Sequence, residues 1–150
     1  MNEIIQILSG TVGVFGFAVL FNIRGKRMAA TVALGSLSWT IFVLLGSFIS
    51  GEAVKYFIVA LVISLLAEVL ARALKTPTTT FIITALVPLI PGGSLYYTMA
   101  YAFESNLERF VSKAVHTLSL AAALALGIIV AATLTRLYFK IVMHIKRKVF

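Results

Sequence analysis

Long apolar runs, each closed by basic or small residues, set the pattern of this chain. The first extends from Ile4 to Ile23 and stops at Arg24, Lys26 and Arg27; the second from Met28 to Ser50, closed by Gly51 before Glu52. A third covers Ala53 to Ala71 and ends in LLAEVLARALK, a fourth occupies residues 77–103, and a fifth runs from Ala114 to Thr135 ahead of a basic tail at 136–150. About twenty predominantly apolar residues suffice for a helix to cross a bilayer. The pattern predicts an all-α polytopic transmembrane bundle of about five spans, forming one transmembrane domain over residues 1–150. The segment Glu104 to Lys113 reads as a short polar loop or surface helix.

The fourth run differs from the others because it is interrupted. From Thr76 to Phe103 there is no formal charge, yet Pro88, Pro91, Gly92 and Gly93 fall in its middle. Proline removes a backbone hydrogen bond and clashes with the preceding turn, and glycine weakens helix propensity. Thr76 stands where an N-cap is expected and Pro77 at the first-turn position, so a half-helix from Thr78 to Val87 is predicted. Ser94 is placed to cap a second half that carries Tyr96, Tyr97 and Tyr101 to Phe103. Polar backbone freed at bilayer depth is tolerated where it is buried in protein or lines a cavity, so a break there points to a binding site or pathway. The candidate substrate-binding set is therefore Thr80, Thr84, Pro88, Pro91, Gly92, Gly93, Ser94 and Tyr97: amides at the start of the second half for an anion, and hydroxyls from the first half. A kink satisfied by neighbouring helices remains the alternative.

Three further features carry expectations. Gly10, Gly13 and Gly16 recur every third residue and form a smooth stripe, which reads as a helix-packing face. Trp39, half-way along its span, reads as a packing residue or cavity wall. Glu68 and Arg72 are four apart, the spacing that stacks an acid and a base on one helix face. An ion pair near the membrane boundary is the first reading; a gating or proton-coupling role for Glu68 and Arg72 is the second, since an ionisable group inside a span is a functional candidate. His116 lies near the start of its span and reads as interfacial.

Composition narrows the function classes. The chain of 150 residues is 61% hydrophobic and 12% charged, with a mean hydropathy of +1.05. It has no cysteine and only two histidines, and its five acidic residues are all glutamate, so no metal site and no cofactor are expected. GxxxxGK[ST] is absent, and no catalytic set can be assembled from Glu68, His116 and the serines. The net charge of +8 is read as topology rather than as nucleic-acid binding. With the amino terminus outside and all five runs crossing, Arg24, Lys26, Arg27, Arg72, Lys75, Arg136, Lys140, Lys146, Arg147 and Lys148 lie inside. Only Lys55, Arg109 and Lys113 lie outside, ten against three. This positive-inside bias requires the broken run to cross fully and puts the carboxyl terminus in the cytoplasm. The first run lacks a basic leader and a cleavage pattern, so it is expected to be a retained span.

The sequence VPLIPGGSLYYTM, with LLAEVLARALKTPTTTFI before it, resembles the threonine/serine exporter family, specifically its short membrane-only subunit. The matching positions are Glu68, Arg72, Pro77, Pro88, Pro91, Gly92, Ser94 and Tyr96, and FNIRGKR, with Asn22 and Arg24, is similar to the family's close of the first span. The resemblance implies a bacterial inner-membrane exporter of threonine and serine, or of dicarboxylates such as succinate. It also implies a longer partner subunit with a soluble hydrolase-like amino-terminal region and its own spans. Two related halves in inverted orientation and a higher oligomer are further expectations. The alternative function is a non-transporting scaffold that docks such a partner through its glycine stripes.

Overall fold

The computed structural model describes residues 3–104 and 106–149, apart from the side chains at 143 and 145–149. The apolar runs form α1 (Glu3–Leu20), α2 (Lys26–Leu45), α3 (Glu52–Ala73), α4 (Thr78–Leu86), α5 (Gly92–Phe103) and α6 (Leu107–Val149), with a 3-10 turn at Val87–Leu89 between α4 and α5. The architecture is all-α. Four helices are individually long and apolar enough to cross a membrane, and α4 with α5 makes a fifth candidate span bent by 57°.

Helices α1 and α3 end in the same way. At the end of α1 the Ile23 amide donates to Ala18 at 2.9 Å and the Asn22 amide to Val19 at 3.0 Å; at the end of α3 Thr76 donates to Ala71 at 2.9 Å and Lys75 to Arg72 at 3.3 Å. These are Schellman closures, which use amides from beyond the helix to satisfy its last carbonyls. Each requires a left-handed residue, supplied by Asn22 at φ 55° and Lys75 at φ 49°.

Three contacts fix how α6 lies on α3. Near its beginning, His116 Nε2 is 3.1 Å from Glu52 Oε2 in the first turn of α3. Midway, a Cβ on Gly127 would sit 2.7 Å from both Ala60 Cβ and the Phe57 carbonyl oxygen, so the two backbones touch there. At the far end the Arg72 guanidinium lies 3.5 Å from the centroid of the Phe139 ring. Helices α3 and α6 are therefore parallel. To join parallel helices the chain must travel back from the end of α3 to the level of its start, and the bent pair α4–α5 makes that crossing.

One face of α3 forms the core, with Val59, Ile63 and Ala67 buried against Phe81 and Ala85 of α4, Leu89, and Leu120 of α6. Helix α5 stands apart and packs mainly on α6, where a buried hydrogen bond of 3.1 Å joins the Thr98 and Thr117 hydroxyls. Most other large apolar side chains face outward, as expected of helices whose surroundings are lipid.

Some local expectations shift. Pro77, not Thr76, occupies the cap of α4; the Thr76 hydroxyl instead donates to the Leu74 carbonyl at 2.9 Å. Helix α5 begins at Gly92 with Pro91 as its cap, so Ser94 lies inside the first turn rather than ahead of it. The last helix starts at Leu107, with Asn106 Oδ1 accepting from the Arg109 amide at 3.1 Å as an N-cap does. It runs on through the basic stretch instead of stopping at 135; the side chains of Lys146, Arg147 and Lys148 lie outside the described residues. Among the described residues only the first glycine of the α1 stripe is packed: a Cβ on Gly10 would meet the Trp39 ring at 3.0 Å, whereas Gly13 and Gly16 face open space. The close crossings fall at Gly35, where a Cβ would lie 2.5 Å from Val14, and at Gly127.

A methyl group at Gly127 cannot be accommodated without separating α3 from α6. Gly127→Ala is expected to lower stability by about 1–3 kcal/mol, the cost of overpacking a tight contact. Gly13→Ala is expected to change it by less than about 0.5 kcal/mol. Thermal unfolding of both variants in the same detergent checks the contrast.

Candidate functional site

The break is built by two prolines in succession. Pro88, within the 3-10 turn, has no amide to continue the α4 ladder, and Pro91 has none to begin that of α5. Between them the Ile90 amide donates to Val87 at 3.1 Å and the Gly92 amide to Ile90 at 2.6 Å; the ladder resumes with Leu95 donating to Pro91 at 3.0 Å. The span is thus truly interrupted, with a change of axis rather than a smooth kink.

The eight candidate binding residues divide around this break. Gly92 and Gly93 are exposed, and a Cβ on either would meet nothing within 4 Å. Ser94 is half-buried and its carbonyl accepts the Thr98 hydroxyl at 2.8 Å. Tyr97 is exposed and lies in an aromatic row, 5.4 Å from the Tyr96 ring and 6.4 Å from that of Tyr101. Pro88 and Pro91 are half-buried. Thr80 and Thr84 belong to a different place, the first turns of α4, where they face the end of α1.

There the structure forms two adjoining open clefts. One, of about 250 Å³, is walled by Phe21, Ile23 and Ile83 and lined by the hydroxyl-bearing Thr79, Thr80 and Thr84. The other, of about 350 Å³, shares Phe21, Ile23 and Thr80 with it and adds Asn22, Arg24, Arg27, Thr76 and Pro77. The two left-handed turns build this region: that at Asn22 brings Ile23 and Arg24 back over α4, and that at Lys75 turns the chain from α3 into Thr76 and Pro77. Neither Arg24 nor Arg27 has a carboxylate within 4.0 Å among the described residues. The chemistry gathered here is two guanidinium groups, a carboxamide and a ladder of hydroxyls along an apolar wall.

Sequence reasoning placed Thr80 and Thr84 in a site but read Asn22, Arg24 and Arg27 as span-closing and topological residues. Their common clue is FNIRGKR, where an amide and two guanidinium groups meet at a span end. What it faces, some fifty positions later in the chain, is visible only in the fold.

Glu68 and Arg72 form the pair that their spacing predicts, at 3.5 Å, with Arg72 also stacked on Phe139. At the opposite end of the bundle, a polar cleft of about 750 Å³ is lined by Tyr101, Asn106, Glu108, Arg109, Ser112, Lys113 and His116. Deep between them, the hydroxyls of Ser38 on α2 and Ser64 on α3 and the indole N–H of Trp39 are buried without hydrogen-bond partners among the described residues.

Comparison with known families settles the broad identity. The family model described as Threonine/Serine exporter, ThrE, matches residues 6–134. The chain belongs to the threonine/serine exporter family. The match covers the broken pair, α2 and α3 in full and most of α1 and α6, and it makes the chain a membrane protein of a family of exporters. No curated protein and no solved structure matches it.

A lysine in a left-handed turn beside the cleft is a local cost, because its Cβ crowds the following carbonyl. Lys75→Gly removes that crowding at the expense of greater freedom in the unfolded chain. A net gain of about 0.5–1 kcal/mol is expected, with a smaller gain for Asn22→Gly because asparagine tolerates this conformation. Melting temperatures of the two variants test the order.

Proposed function

We propose that this chain is the small subunit of a two-component exporter of small carboxylate-bearing metabolites, either threonine and serine or dicarboxylates such as succinate. It lies in the bacterial cytoplasmic membrane with its amino terminus outside and its carboxyl terminus in the cytoplasm. Transport is secondary and proceeds by alternating access, together with a longer subunit that carries a soluble hydrolase-like region and spans of its own. The observation that carries this reading is the 57° interruption of an uncharged span between two clefts at opposite ends of the bundle. Unsatisfied backbone is costly in lipid unless it is buried in protein or borders a polar passage.

The charge distribution supports the orientation. The α1–α2 connection with the start of α2, the end of α3 with the α3–α4 connection, and the later part of α6 lie at one end of the bundle and hold ten of the 13 lysines and arginines. That end is the cytoplasmic one in this reading. Glu68 acts by holding Arg72 against Phe139 rather than by carrying protons.

A second reading, a scaffold that docks a transporting partner, draws on the uncovered Gly13 and Gly16. Efflux of preloaded labelled threonine and succinate separates the two, measured in cells with this chain alone, with its partner, and with a Gly92→Leu variant beside the partner. Gly92 has open space for a larger side chain, so the variant is expected to assemble. Transport through the break predicts that efflux needs both chains and that the assembled Gly92→Leu variant loses it. Normal efflux in that variant would favour the scaffold. In the same assay Glu68→Gln is expected to keep efflux within about twofold of wild type and to cost about 1 kcal/mol, since the Arg72 side of the pair is half exposed. Loss of efflux with normal assembly would assign Glu68 to coupling instead.

A further inference from the structure

The clefts between the α1–α2 turn and the start of α4 combine features that a break of prolines and glycines does not supply. We infer that this region is where a small carboxylate first binds, with Arg24 and Arg27 engaging the carboxylate and Thr80 and Thr84 its hydroxyl, amino or second carboxylate end. The assignment takes its purpose from the transport reading, but its test is a binding measurement that stands without transport.

Charge points the same way as shape. A guanidinium group presents a planar fork of donors that matches a carboxylate, and both arginines are without an acidic partner among the described residues. The five glutamates of the chain are all described, and two of them, Glu68 and Glu52, are taken by Arg72 and His116. The adjoining clefts, about 250 and 350 Å³, are of the size that holds a small metabolite. From the arginines the lining changes to hydroxyls, with Thr80 common to both clefts and Thr84 deeper, 1% exposed. The Thr84 hydroxyl donates to the Thr80 carbonyl at 3.2 Å, which leaves its oxygen lone pairs available to an amine or hydroxyl donor. Phe21 and Ile83 supply the apolar wall against which a short carbon chain rests.

This arrangement distinguishes a soluble carboxylate from a lipid phosphate. A headgroup needs only the exposed arginines, whereas a small carboxylate also needs the threonines further in. Gly92, Gly93 and Ser94 then belong to a later stage of passage rather than to first binding.

The test uses the full chain with its partner in nanodiscs of phosphatidylcholine, which has no net charge, and measures equilibrium binding of labelled threonine and succinate. Saturable binding of at least one is expected, weakened about tenfold or more by Arg24→Gln with Arg27→Gln, the loss that follows from removing charge-assisted hydrogen bonds. Thr80→Val is expected to weaken it severalfold, and Lys55→Gln, at the opposite end, to leave it unchanged. Threoninol, which lacks the carboxylate, is expected not to compete. Absence of saturable binding to the wild type, or unchanged binding in the double arginine variant, overturns the inference. So does a double variant that, in parallel nanodiscs containing phosphatidylglycerol, loses only association with that lipid while still binding the carboxylate. Binding with these sensitivities in a complex that fails to export would retain the site and refute the transport reading; export without a binding change would do the reverse.

Discussion

The parallel packing of α3 on α6 is the constraint on which the remaining structure depends. Gly127 permits direct backbone contact with Phe57 and Ala60, and the Glu52–His116 and Arg72–Phe139 contacts hold the two ends in register. Neither end contact is strong by itself: an exposed Glu–His contact and a cation–π contact at an exposed guanidinium each contribute about 1 kcal/mol or less. Their combined effect is geometric. Two parallel helices joined through a single intervening segment oblige that segment to traverse the bundle, so the broken stretch cannot turn back on the side it entered.

That obligation explains how a segment so poor in helix propensity is maintained. Two prolines remove amides from the ladder, and the interruption is bridged only by a 3-10 turn and the short bond from Gly92 to Ile90. Helix α4 is held against α2 and α3 through Phe81, Ala85 and Leu86, while α5 is held against α6 by the Thr98–Thr117 bond. The two halves are therefore anchored to different neighbours. The turn between them is anchored as well, because Leu89 is fully buried in the core, so the bend is held at its centre and on both sides.

The positions of glycine divide by use. Gly35 and Gly127 admit close helix crossings within this chain, and Gly10 seats the Trp39 ring. Gly13, Gly16, Gly92 and Gly93 admit nothing within it. Attraction between helices in lipid comes from close packing rather than from apolar burial. Smooth surfaces left uncovered on α1 and at the break are accordingly the places where contact with another chain or with solute has room to form.

The all-α membrane class, the five hydrophobic runs, the interrupted fourth run and the Glu68–Arg72 pair were legible in the residues themselves. Each depends on composition or on spacings within one helix, and such local regularities require no knowledge of the fold. Helix ends were less legible: the reach of α6 back to Leu107 and on through the basic stretch turns on the Asn106 cap and on the packing at Phe139. Least legible was the grouping of Thr80 and Thr84 with Asn22, Arg24 and Arg27 in place of Gly92 to Ser94. Nearness along the chain suggested the latter grouping, but a helix carries residues about 1.5 Å further along its axis per position. Thr80 and Gly92 are consequently separated along the span, while the Schellman turns at Asn22 and Lys75 fold two distant span ends together. Local sequence determined which segments are helices and where one of them must break; only tertiary structure decided which helix ends meet, because that depends on contacts between residues the chain itself keeps far apart.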